Sequence, residues 1–135
     1  MRGAIRPVAV AFFATAAALL GDSAEVRAHA RLVAASPRAS SRLDASPATV
    51  DLWFDEVLDE GFHEVSVVPD DAPASSARNR AGAVSVDPDD RTHLVAPLER
   101  LHDGSWVVLW RVLSRDGHGA RGRHEFRVGR RDEGR

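Results

Sequence analysis

SWVVLWRVL, Ser105 to Leu113, is the stretch on which the fold turns. Side chains alternate across an extended chain, so Trp106, Val108, Trp110 and Val112 share one face. A face that apolar belongs in a core, and the run is expected to be the longest and most buried strand, anchored by its two tryptophans. LHDG (Leu101–Gly104) before it reads as a tight turn, and RHEFRV (Arg123–Val128) after it as the strand that closes the domain.

The same period-two pattern continues toward the N-terminus. TVDLWF (Thr49–Phe54) places Val50, Leu52 and Phe54 on one side, and HEVSVV (His63–Val68) places Val65 and Val67 there before Pro69 ends it. RLVAA (Arg31–Ala35), AVSVD (Ala83–Asp87) and THLVAP (Thr92–Pro97) are shorter strands. SPRASSRLDASP (Ser36–Pro47) and DDAPASSARNRAG (Asp70–Gly82) read as polar loops. No stretch carries a convincing amphipathic-helix period. About seven short strands in roughly 100 residues point to an all-β, immunoglobulin-like β-sandwich.

The chain of 135 residues is long enough for one such domain, with 44% hydrophobic residues to build it. Every basic residue is an arginine, and these are interleaved with Asp and Glu to a net charge of −2, so no nucleic-acid partner is expected. Cysteine is absent and Met1 is the one methionine, which removes disulfides, thiolate ligands and thioether chemistry. Any metal must be held by histidine, carboxylate and backbone groups.

Arg2 and Arg6 precede VAVAFFATAAALL (Val8–Leu20), an apolar run short of the roughly 20 residues of a spanning helix. Val26 and Ala28 then occupy the small-residue positions of a signal-peptidase site. Residues 1–28 are therefore expected to be a signal peptide cleaved after Ala28, giving a periplasmic or secreted protein. Residues 29–129 are expected to form the sandwich, and 130–135 a charged tail.

Cleavage there makes His29 the first residue, offering its free α-amine and ring Nδ1 as a chelating pair. Far downstream, SRDGHG (Ser114–Gly119) carries Asp116 and His118 at i and i+2, on one side of an extended segment. Three nitrogens and one carboxylate oxygen suit tetragonal Cu(II), which heads the divalent affinity order. Ser114, Asp116 and His118 also suggest a hydrolase triad. They are too close along one strand for that geometry, and no G-x-S-x-G elbow occurs. His63, His93, His102 and His124 stand singly and are expected to be surface residues, and Asp55, Glu56, Asp59 and Glu60 to form a solvated loop.

HARLVAASPRASSRLDASPATVDLWFDEVL (29–58) and GSWVVLWRVLSRDGHGARGRHEFRV (104–128) together resemble the CopC-type periplasmic copper resistance proteins. The resemblance implies an immunoglobulin-like sandwich and one Cu(II) per chain. Its N-terminal histidine falls on His29, its Asp-x-His pair on Asp116 and His118, and its strand-end glutamate, an outer ligand, on Glu56. It also implies copper sequestration, resistance or delivery rather than enzymatic turnover, by a monomer whose partner is a separately encoded CopD-like membrane copper transporter. Ser40 and Gly119 depart from the family's usual glycine and proline, and the Met-rich Cu(I) site of some members is lacking. Two alternatives stand beside this one. Lytic polysaccharide monooxygenases also chelate copper with an N-terminal histidine on a similar sandwich, and a non-metal immunoglobulin-like module would use none of these residues.

Overall fold

The computed structural model describes residues 30–73 and 76–130. Residues 1–28, His29 and the end of the tail lie outside the described residues. Among the described residues, eight strands form two four-stranded sheets: β1 (Leu32–Ser36), β2 (Ser41–Leu43), β3 (Thr49–Phe54), β4 (Glu64–Pro69), β5 (Ser85–Val86), β6 (His93–Pro97), β7 (Gly104–Leu113) and β8 (Gly119–Val128). The first sheet runs β1-β3-β6-β5 and the second β2-β8-β7-β4. The all-β sandwich is as expected, and no described residue is helical.

The alternation seen in the sequence becomes the interior. Val50, Leu52 and Phe54 of β3 and Leu94 and Ala96 of β6 face Val65 and Val67 of β4, Trp106, Val108 and Val112 of β7, and Phe126 and Val128 of β8. Trp106 is fully buried, and its indole N–H donates to the His102 carbonyl at 3.0 Å. Trp110 is only half-buried. Its ring meets Phe54 edge-on at 5.2 Å and lies over Gly122, its cross-strand neighbour on β8. A Cβ at Gly122 would come within 2.3 Å of that ring, so only glycine admits the tryptophan there.

Two strands differ from expectation. β2 lies inside the polar stretch read as a loop and pairs parallel with β8, Ser41 opposite Phe126. Three residues at a sheet edge are too short to show a period. β8 starts at Gly119, four residues before RHEFRV, because its pairing with β7 runs unbroken from Gly104–Val128 to Leu113–Gly119. The small residues of GARG concealed that extension.

The lone histidines are more embedded than expected. His93 stacks on Trp53 with ring centroids 4.4 Å apart, while Nε2 and Nδ1 lie 2.7 and 3.1 Å from carboxylate oxygens of Asp51 and Asp87. It pins β3, β6 and the turn after β5 together. His124 donates from Nε2 to the Pro37 carbonyl at 3.0 Å, fastening the chain that follows β1 onto β8. His102 is exposed, as expected.

Trp106→Ala is expected to cost about 3–5 kcal/mol, read by urea denaturation, since it empties a site no neighbour can fill. A second outcome concerns acid. Burial holds the His124 ring below its ordinary pKa, outweighing the Pro37 hydrogen bond that raises it. The unfolded chain regains a value near ~6.5 and so takes up a proton the native state refuses. This contribution to stability is complete above that value and shrinks as pH falls toward the lower native one. Denaturation midpoints measured from about pH 7.5 to 5.5 are expected to fall less steeply in His124→Gln.

Candidate metal centre

The strand ends fix one end of the sandwich. Leu32 pairs with Phe54, and just beyond them Arg31 and Asp55 bond both ways: the Arg31 N–H donates to Asp55 Oδ1 at 2.7 Å and the Asp55 N–H to the Arg31 carbonyl at 3.0 Å. The chain then passes to the second sheet. Leu58 bridges to Ser114, the Asp59 N–H donates to the Leu113 carbonyl at 3.0 Å, and the Arg115 N–H to the Val57 carbonyl at 2.9 Å. The segment after β3 is thus stitched to the turn that joins β7 to β8.

That turn carries Asp116 and His118. It is not the extended segment expected from the sequence. The Gly117 N–H donates to the Ser114 carbonyl and the Ser114 N–H to the His118 carbonyl, both at 2.9 Å, and Gly117 takes φ +89°. Glycine adopts that left-handed conformation without penalty. The two side chains still converge, with His118 Nδ1 at 3.1 Å from Asp116 Oδ2. Both are solvent-facing, with side chains 56% and 40% exposed.

Asp116 Oδ1 is held separately. It accepts from the Ser114 hydroxyl and from the His118 backbone N–H at 3.1 Å. The Ser114 hydroxyl, then the His118 N–H and then the His118 ring stabilise the charged carboxylate and bring its pKa down to about 2. Serine, aspartate and histidine are therefore neighbours, but the triad geometry that their spacing was expected to forbid is not formed. The aspartate sits between the other two, and the fully buried serine hydroxyl faces a weakly basic carboxylate, not an imidazole. That order cannot run nucleophilic hydrolysis, which needs the imidazole against the hydroxyl.

Glu56 shares a shallow depression with Val57, Arg115 and Asp116, without closing on the carboxylate–histidine pair as a third ligand. Of its acidic neighbours, Asp55 is tied to Arg31 and Glu60 pairs with Arg91 at 3.3 Å. His29 lies outside the described residues. Among the described residues no three His, Asp or Glu side chains converge as a ligand set; Asp116 and His118 are a pair. Two contributors were missed from the sequence. Ser114 orients Asp116, a role hinted at only by its place two residues earlier. His63 accepts the Leu113 N–H on Nδ1 at 3.3 Å and donates from Nε2 to the Asp59 carbonyl at 2.8 Å, clasping the loop to β7.

The described chain is thus a two-sheet β-sandwich that holds a carboxylate–imidazole pair at one end. The CopC domain family matches residues 32–129, and the chain belongs to that family. It is 33% identical over 108 residues to copper resistance protein C of Pseudomonas syringae pv. tomato, covering 78% of this chain and 85% of that one. Over 108 residues it is 30% identical to the copper transport protein CutJ of Bacillus subtilis, covering 79% of this chain but 19% of that longer one. The crystal structure of CopC from Methylosinus trichosporium OB3b superimposes with a TM-score of 0.66 at 33% identity, covering 75% of this chain and 94% of that one.

A carboxyl-carbon NMR titration of the metal-free protein is expected to place the Asp116 midpoint near 2. A folded-state pKa below the unfolded one contributes stability above the unfolded value that is lost as pH falls through the native one. The Asp116 carboxylate therefore stays charged across the whole neutral and mildly acidic range.

Proposed function

We propose that this chain is an exported Cu(II)-binding protein that sequesters copper or hands it on, without catalytic turnover. His29, freed by cleavage after Ala28, supplies its α-amine and ring nitrogen, His118 a second imidazole, and Asp116 a carboxylate oxygen. Glu56 serves as an outer ligand. One Cu(II) binds per chain, the protein acts as a monomer in the periplasm or outside the cell, and its acceptor is a CopD-like membrane copper transporter.

One observation carries this reading. Ala30 is buried in the core and Arg31 is bonded both ways to Asp55, at the same end of the sandwich as the Asp116–His118 turn. Residue 29 is one peptide unit, ~3.8 Å between Cα atoms, from that anchored start. The chemistry agrees. A charged carboxylate and an imidazole are borderline-to-hard donors that favour Cu(II), and the chain has neither thiolate nor clustered thioether to hold Cu(I). Release then follows from ligand exchange with the acceptor or from reduction. The names of the copper resistance and copper transport relatives fit this assignment.

The test is a competitive Cu(II) titration, followed by EPR, on a protein starting at His29 and on one with a single extra residue ahead of it. One tightly bound Cu(II) with a tetragonal, nitrogen-rich spectrum is expected for the first. The second loses a direct donor, and should bind about 100-fold more weakly or worse, beyond the ~10–100-fold typical of an outer-shell loss. Equal binding by both would move the site away from the terminus. No binding by either would leave a sandwich without a copper role.

A further inference from the structure

We propose that Ser114 is a positioning residue for the metal centre: its buried hydroxyl locks Asp116 so that Oδ1 is retained by the protein and Oδ2 is the oxygen presented to copper. The inference deepens the copper reading above and rests on it.

Ser114 is the buried polar residue of the described core, with no exposed surface. A hydroxyl withdrawn from water is costly unless it is hydrogen-bonded. Its single proton has two acceptors within reach, Asp116 Oδ1 and the His118 carbonyl at 3.0 Å. The carbonyl already receives the Ser114 backbone N–H at 2.9 Å. An ionised carboxylate is also the stronger acceptor, so the hydroxyl proton belongs to Asp116. With the His118 N–H bonded there as well, Oδ1 carries two donors, while Oδ2 faces the His118 ring at the surface.

The anchor itself is rigid. Ser114 follows the last residue of β7, bridges to Leu58, and is closed into the turn by its own N–H and C=O. A carboxylate tethered at one oxygen to such a point cannot rotate about its terminal torsion. It reaches the metal with its orientation already set and accepts it through one oxygen. Freed of the tether, Asp116 can turn, bind through both oxygens or swing into solvent, and each alternative changes the ligand field at copper.

The test compares wild type, Ser114→Ala, Asp116→Asn and the double variant, all starting at His29, by Cu(II) competition and EPR. Proton–nitrogen NMR spectra of the metal-free proteins accompany them. Ser114→Ala is expected to lower Cu(II) affinity about 10-fold, within the range for outer-shell partners, and to alter the EPR parameters. It should add nothing further when Asp116 is already Asn, because the serine acts through that carboxylate. In the metal-free protein the His118 amide proton should shift, as its acceptor is no longer held. Unchanged affinity and spectrum, or an equal loss in the Asp116→Asn background, would overturn the proposal. Should wild type bind no copper, the copper reading fails by itself, and an unmoved His118 amide would still overturn the positioning role. Ser114→Cys replaces the hydroxyl with a weak donor. It is read only in the metal-free protein, where the His118 amide is expected to shift as in alanine but less, and an unmoved amide would overturn the proposal if alanine does not fold.

Discussion

The unbroken antiparallel pairing of β7 with β8 is the constraint from which the rest follows. It runs from Gly104–Val128 to Leu113–Gly119, and both sides of it feed the interior. A slip of one residue would turn Trp106, Val108 and Val112 toward solvent, because the side-chain period of a strand is two. The same slip would dismantle the turn at its end, where Ser114, Asp116 and His118 are arranged. Core packing and the geometry of the candidate metal centre are thus set by one register.

The centre is also a junction between layers. The first sheet contributes Arg31 bonded to Asp55, and the second contributes the Asp116–His118 turn. Between them runs the segment after β3, bonded to the first sheet at Asp55 and to the second at Val57, Leu58 and Asp59. His63 fixes the far side of that segment to β7. Backbone hydrogen bonds place these segments, and the Ser114 hydroxyl orients the Asp116 carboxylate.

Much of this was legible in the sequence because burial on one face imposes alternation. TVDLWF and SWVVLWRVL show it without ambiguity, and both are strands at the expected places. β2 was not legible, since three edge residues with partial burial leave no pattern. The Asp116–His118 pair was found by its spacing but placed on an extended chain, and the turn made by Gly117 was not foreseen. Ser114 was weighed as a nucleophile because a sequence gives the order of residues and not which of them faces inward. His93 and His124 looked like isolated surface residues because their partners Asp51, Asp87 and Pro37 are distant along the chain, apart from the six-residue step between Asp87 and His93.

The outermost strands carry a further consequence. Sheet order puts β1 and β5 at the margins of one sheet and β2 and β4 at the margins of the other. β1 is interrupted by an irregularity between Leu32 and Ala34, β5 has two residues, β2 has three, and β4 closes on a proline that has no N–H to donate. None offers a long, flat row of unpaired backbone groups to a neighbouring chain. Such a molecule resists growing into filaments by strand addition even when crowded, and encounters with other proteins are steered away from the sheet margins to the loops at the ends of the sandwich.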